Sequence, residues 1–238
     1  MGDEGRYSRH YSLPGVGESG QKKLAEASVL VIGAGGLGST VLLYLAAAGV
    51  GRLGIIDDDE VALSNLQRQV LHSTETIGYK KVDSAQKRLN GLNDEVEIVT
   101  YDARFTPENA MGIFSDGWDV IVDGTDNIPT RYLVDDACFL SGIPWVYGSI
   151  YRFEGQVSVF NHQGGPCYRD LFTTPPPPGS VPSCAEGGVL VALPGGIRSL
   201  QVTETSKLIL GLGEVLTGRL LVNDSDKVTF TTFTFSHV

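Results

Sequence analysis

The run Val29-Leu30-Val31-Ile32 leading into Gly33-Ala34-Gly35-Gly36-Leu37-Gly38 constrains this chain more than any other stretch. Its unbroken apolar character suits a strand buried on both faces, and closely spaced glycines then break it before a helix opens. Such a break sets bare backbone N–H groups against a phosphate, and the helix N-terminus adds partial positive charge. The following strand ends in Asp57-Asp58-Asp59-Glu60, where the first carboxylate is placed to hold a ribose hydroxyl pair. Asp59 is a second nucleotide-binding candidate, whereas Asp58 and Glu60 read as a solvated turn. The fingerprint says nucleotide and leaves the chemistry open, since any dinucleotide fold shares it.

Composition narrows the class. The 238 residues are 42% hydrophobic, enough for one substantial core. No run of 18 apolar residues occurs, and Met1-Gly2-Asp3-Glu4-Gly5-Arg6 lacks the pattern of a signal peptide. The expectation is a soluble, cytoplasmic protein with no membrane partner. Cys138, Cys167 and Cys184 are too few and odd in number for a disulfide framework. A net charge of -10 opposes a nucleic-acid partner, because that binding is driven by Lys and Arg.

From 28 to 149 the pattern alternates strand and helix: strands at Ser28–Ile32, Arg52–Asp57, Glu95–Tyr101, Trp118–Asp123 and Pro144–Gly148, with helices at Leu37–Ala48, Lys80–Leu92 and about Thr130–Leu140. This is the grammar of an open parallel sheet whose ligands sit beyond the carboxyl ends of its strands. The grammar then changes. Gly155–Asn161 alternates like an antiparallel strand, Leu220–Asn223 and Lys227–Phe235 suggest a hairpin around Asp224-Ser225-Asp226, and Ile197–Leu210 reads as an amphipathic helix. The predicted fold class is α/β: a Rossmann-like, mostly parallel sheet with helices on both faces, extended by antiparallel strands in the C-terminal part.

The ordered motifs Arg6-Tyr7-Ser8-Arg9, Gly33 to Gly38, Asp57, Ser64-Asn65-Leu66-Gln67-Arg68-Gln69, Gly78-Tyr79-Lys80-Lys81, Thr125-Asp126-Asn127 and Ser183-Cys184-Ala185-Glu186-Gly187-Gly188 resemble the MoeB/ThiF family of ubiquitin-activating-like enzymes. The resemblance implies a homodimer that uses ATP and Mg2+ to adenylate the C-terminal Gly-Gly carboxylate of a ubiquitin-like, MoaD/ThiS-like sulfur carrier, releasing pyrophosphate. Molybdopterin, thiamine and related sulfur-transfer pathways all fit it. It also implies one domain over 1–238, made of a helical arm at 1–27, a nucleotide-binding half at 28–149 and a carrier-binding half at 150–238 with a crossover loop over 162–188.

Roles follow from the same resemblance. Gly33, Gly35, Gly36, Gly38, Asp57, Asp59, Ser64, Asn65, Gln67, Arg68, Lys81, Asp126 and Asn127 bind the nucleotide. Arg68 and Lys81 form a cationic clamp, Arg9 reaches the phosphates of the neighbouring subunit, Asp126 holds magnesium, and Cys184 takes the activated carrier. The spacing of Ser64, Asn65 and Arg68 suits one helical face and therefore one ligand. A carboxylate is a poor electrophile, so its conversion to an acyl phosphate needs positioning and charge neutralisation at the departing pyrophosphate. Bland alternatives stand beside these roles. Asp126 also suits a helix cap, Lys80 is easily confused with Lys81, and a surface charge is the competing reading of Arg9.

Cys138 reads as a small buried hydrophobe, and Cys184 as an accessible thiol ahead of a helix. Cys167 stands where the family carries the first Cys of a zinc pair, but its partner position is Asp170, and no second pair follows. The expectation is no structural zinc. Arg198 departs from the small residue usual in the family, and either a place at the carrier-tail groove or exposure to solvent fits it. No rhodanese-like segment is read in these residues, and the expectation is that a sulfurtransferase step would need a separate protein. Two other classes remain: an NAD-dependent oxidoreductase, for which His10, His72, His162 and His237 offer no recognisable arrangement, and a non-catalytic subunit or tRNA-directed relative.

Overall fold

The computed structural model describes residues 5–177 and 188–238. Its centre is an eight-stranded sheet in the order β3-β2-β1-β4-β5-β6-β7-β8. The strands are β1 (Ser28–Ile32), β2 (Arg52–Ile56), β3 (Glu97–Tyr101), β4 (Val120–Asp123), β5 (Trp145–Tyr151), β6 (Glu154–Phe160), β7 (Arg219–Asp224) and β8 (Thr229–Thr234). Strands β1 to β5 pair in parallel and β5 to β8 antiparallel, as the change of sequence grammar near 150 predicts. The helices are α1 (Ser8–Tyr11), α2 (Gly17–Glu26), α3 (Gly38–Ala48), α4 (Lys81–Leu92), α5 (Pro107–Phe114), α6 (Ile128–Ser141), α7 (Tyr168–Leu171) and α8 (Ala192–Leu210).

Alternate residues of β1 feed opposite layers, because strand side chains alternate faces. Val29 and Val31 join Val41, Leu42 and Leu45 of α3 and Val82, Ala85 and Leu89 of α4. Leu30 and Ile32 join Ile113 and Phe114 of α5 and Tyr132, Val134 and Cys138 of α6. The sheet is thus covered on both faces, which is why its parallel strands read as continuous apolar runs. Cys138 is fully buried and burial pushes its thiol well above the ordinary value, as expected of a core cysteine.

Three expectations are corrected. Helix α5 went unread: its Thr106 cap and Pro107 at the first turn are proper start signals, but two turns give too short an apolar stripe. Helix α8 starts at Ala192 rather than Ile197, because a proline in the first turn, Pro194, loses no hydrogen bond. Its inner face is also less apolar than an amphipathic helix requires, since Arg198, Gln201, Glu204 and Thr205 are all buried. Within the loop expected over 162–188, Tyr168–Leu171 forms α7.

What positions the site is the reversal of strand order at β1, which pairs with β2 on one side and β4 on the other. The connections diverge there and leave a crevice past the carboxyl ends of the strands.

Candidate nucleotide-binding active site

The crevice is a cleft lined by the glycine turn, the ends of β2 and β4, and the segment around Arg68. The turn is glycine for geometric reasons. Gly33 has φ +100°, and a Cβ there would stand 2.7 Å from the Gly124 carbonyl oxygen. A Cβ on Gly38 would stand 1.8 Å from the Gly33 carbonyl oxygen, so the helix can begin so close to β1 only without a side chain.

The turn is pinned from both sides at Ala34. Its N–H donates to Asp57 Oδ2 at 2.8 Å, and its carbonyl meets His72 Nε2 at 2.9 Å. His72 Nδ1 in turn meets Ser84 Oγ of α4 at 2.9 Å. Burial pulls the His72 pKa below its ordinary value, so a neutral imidazole whose Nε2 carries the hydrogen matches the Ala34 carbonyl. Asp57 Oδ1 accepts the Asp59 N–H at 2.9 Å. Burial raises the Asp57 pKa against the opposing pull of Lys81 and the two backbone donors.

Lys81 is 4% exposed, with Nζ 2.7 Å from Asp59 Oδ2 and 4.0 Å from Asp57 Oδ1. Lys80 instead points outward to Asp102 at 3.4 Å and to the Asp58 carbonyl, and of the two neighbours Lys81 is the one in the cleft lining. Arg68 is half-buried, and its Nη1 donates to the Ser64 carbonyl at 3.1 Å. Among the described residues no carboxylate pairs with it.

Gly33, Gly35, Gly36, Asp57, Asp59, Arg68, Lys81, Asp126 and Asn127 all line the cleft. Ser64, Asn65 and Gln67 do not belong to that lining, and the single helical face expected for Ser64, Asn65 and Arg68 does not form. Leu63–Asn65 is a short 3-10 turn, and Asn65 Oδ1 is spent accepting the Ala62 N–H. The capping role weighed for Asp126 falls to Asn127, whose Oδ1 accepts the Thr130 N–H at 2.9 Å. Asp126 is exposed at the cleft, with no hydrogen-bond or ion-pair partner among the described residues.

Arg9 is exposed on α1 beside Gly49, Gly51 and Val96, which precede β2 and β3. It therefore lies at the opposite end of the strands from the cleft of its own chain. Cys184 lies outside the described residues. Cys167 caps α7 by donating its N–H to Asp170 Oδ2 at 2.8 Å, and the same carboxylate oxygen stands 3.0 Å from His237 Nδ1.

Sequence reasoning missed three contributors. Gln69 is buried in the lining, with an Oε1 that has no partner among the described residues; it ends the motif that was quoted for Arg68. Arg131 lies in the floor, with Nε 3.2 Å from Asp123 Oδ2 and Nη2 donating to the Thr125 carbonyl. Thr125 donates both N–H and hydroxyl to Asp123 Oδ1, so this buried pair fixes the turn that presents Asp126. The third is Arg198, which is buried with Nη2 facing Gly36 at the edge of the cleft lining, not exposed to solvent.

Among the described residues no histidine or tyrosine lines the cleft. The Asp57, Asp58 and Asp59 carboxylates approach within 4.8 Å of one another, but Lys81 already answers two of them.

A model of the ThiF family matches residues 7–237. The chain is 53% identical to the sulfur carrier protein adenylyltransferase of Thermus thermophilus over 94% of its own length and 84% of that protein. It is also 53% identical to the adenylyltransferase and sulfurtransferase MOCS3 of Anopheles gambiae, covering 94% of this chain, and spans about half of that relative, 51%. Among solved structures, E. coli MccB with ATP superposes with a TM-score of 0.86 at 20% identity, covering 99% of this chain and 73% of that one. At that identity the likeness speaks for the fold. No helix among the described residues is long and apolar enough to cross a membrane.

Proposed function

Because this chain belongs to the ThiF family, we propose that it adenylates the C-terminal glycine carboxylate of a ubiquitin-like sulfur carrier with ATP. The observation that carries this reading is the convergence of the glycine turn, Asp57, Arg68 and Asp126 on one cleft at the strand-order reversal. The likeness to the Thermus thermophilus sulfur carrier protein adenylyltransferase supports the substrate class.

In this mechanism the carrier carboxylate oxygen attacks the α-phosphorus, a P–O bond forms, and the bond to the β-phosphate oxygen breaks. The products are the acyl-adenylate and pyrophosphate. Asp57 binds the ribose, the glycine turn takes the phosphates on bare N–H groups, and Arg68 neutralises charge on the departing pyrophosphate. Lys81 serves the same end, held in register by Asp59 and Asp57 until the phosphates arrive. Asp126 suits magnesium, being an accessible carboxylate at the cleft with no ion-pair partner among the described residues. When bound there, the ion would neutralise phosphate charge.

Arg9 completes the site in trans in a homodimer: its distance from its own chain's cleft supports a role toward a neighbour. Cys184 is the acceptor for a later acyl transfer in this reading. Carrier-dependent exchange of labelled pyrophosphate into ATP tests the proposal, and a chain that prefers a nicotinamide cofactor to ATP overturns it.

A further inference from the structure

Helix α8 carries a cation that the rest of the molecule leaves unanswered. Arg198 is 1% exposed. Its Nη1 donates to Thr40 Oγ1, in the first turn of α3, at 2.8 Å. Its Nε and Nη2 are buried with no hydrogen-bond partner among the described residues, and no carboxylate there pairs with it. The other buried cations are treated differently: Lys81 has Asp59 at 2.7 Å and Arg131 has Asp123 at 3.2 Å. What surrounds Arg198 is positive, namely the Arg68 guanidinium and the N-terminal end of α3. Burial and Arg68 together pull its pKa well below the usual guanidinium range, to about 9. Removing a guanidinium from water without a counter-charge is costly, so its presence calls for an anion that arrives with a ligand.

Gly36 indicates which anion. A Cβ on Gly36 would meet Arg198 Nη2 at 3.4 Å and Arg68 Nε at 3.6 Å. Both guanidinium groups therefore approach the same bare backbone, and Gly36 itself lines the cleft together with Asp57 and Asp126. A glycine turn ahead of a helix takes phosphate, and guanidinium N–H groups match phosphoryl oxygens.

We propose that Arg198 is a further substrate-binding residue, whose unpartnered Nε and Nη2 hydrogen-bond a phosphate oxygen of the nucleotide seated at Gly36, together with Arg68. The inference rests on the reading of the cleft as an ATP site. The charge is relieved on anion binding, so substrate affinity and resting stability oppose each other at this one position.

Calorimetric titration of the full chain, Arg198→Met and Arg198→Lys with magnesium-ATP tests it, with adenosine followed by competition and thermal unfolding measured without ligand. Arg198→Met is expected to bind ATP roughly 10-fold to 100-fold more weakly, to bind adenosine as wild type does, and to unfold at a higher temperature. If Arg198→Met does not fold, Arg198→Lys carries the test, with weakened ATP and unchanged adenosine expected. ATP affinity equal to wild type in the variants overturns the inference, and so does an equal loss for ATP and adenosine, which marks a displaced pocket. A wild-type chain that takes no ATP sinks the proposed function itself, and this inference with it.

Discussion

The two flanks of the cleft hold their charges in opposite ways. On the β2 side, Lys81 is buried but answered by Asp59 and Asp57, and Asp57 ties down the glycine turn through the Ala34 N–H. On the α8 side, Arg198 is buried beside Arg68 with no carboxylate among the described residues. The paired flank is a scaffold satisfied by the protein's own carboxylates, whereas the unpaired flank is the one proposed to be answered by a bound anion. Coulomb attraction within a partly dry cleft is stronger than in water, so the unpaired side is where ligand charge has most to gain.

Substitutions that act on one flank alone sharpen this contrast. Arg68→Ala is expected to lower the rate of acyl-adenylate formation by ~10² to 10³, since it removes a preorganised donor at the developing charge; mass spectrometry of carrier, ATP and variant measures it. A near wild-type rate would break the assignment of the unpaired flank to the phosphates. Asp57→Ala acts on the other side. It strips a buried ammonium of one carboxylate and orphans the Ala34 N–H, costing about 2 to 3 kcal/mol in urea unfolding.

A pH effect reports the same scaffold. His72 is held below its ordinary pKa of 6.5 by burial, so the folded state binds fewer protons than the unfolded chain as pH falls below 6.5. Its contribution is fully present above 6.5 and is lost as pH descends toward the folded value. The wild-type stability curve should therefore fall more steeply below pH 6.5 than that of His72→Gln, and parallel curves would contradict the neutral imidazole. The smallest effect belongs to Lys80→Ala. This exposed pair with Asp102 is worth ~0 to 1 kcal/mol, and adenylation should proceed at the wild-type rate, unlike in Lys81→Ala.

The paired flank was the more legible one. Val29 to Gly38 and Asp57 signal their places in the fold through local pattern, because strand burial, a forced glycine turn and an acid at a strand end each depend on near neighbours. The place of Lys81 in the cleft lining followed from its motif, although its partners did not. The unpaired flank depended on facts that no local pattern carries. Burial of Arg198 follows from the packing of α8 against α3, which are separated by more than half the chain. The helical spacing read into Ser64, Asn65 and Arg68 failed because Leu63–Asn65 winds as a 3-10 turn. Similarly, Asp126 and Asn127 are adjacent and both suited to capping, and only the Thr130 hydrogen bond assigns the cap to Asn127.

The most direct measurement of the central claim is the exchange of labelled pyrophosphate into ATP by the wild-type chain, with and without a ubiquitin-like carrier ending in Gly-Gly from the same organism. The account predicts exchange that requires both magnesium and the carrier and disappears when the carrier's terminal carboxylate is amidated. Exchange that persists undiminished with the amidated carrier would contradict it.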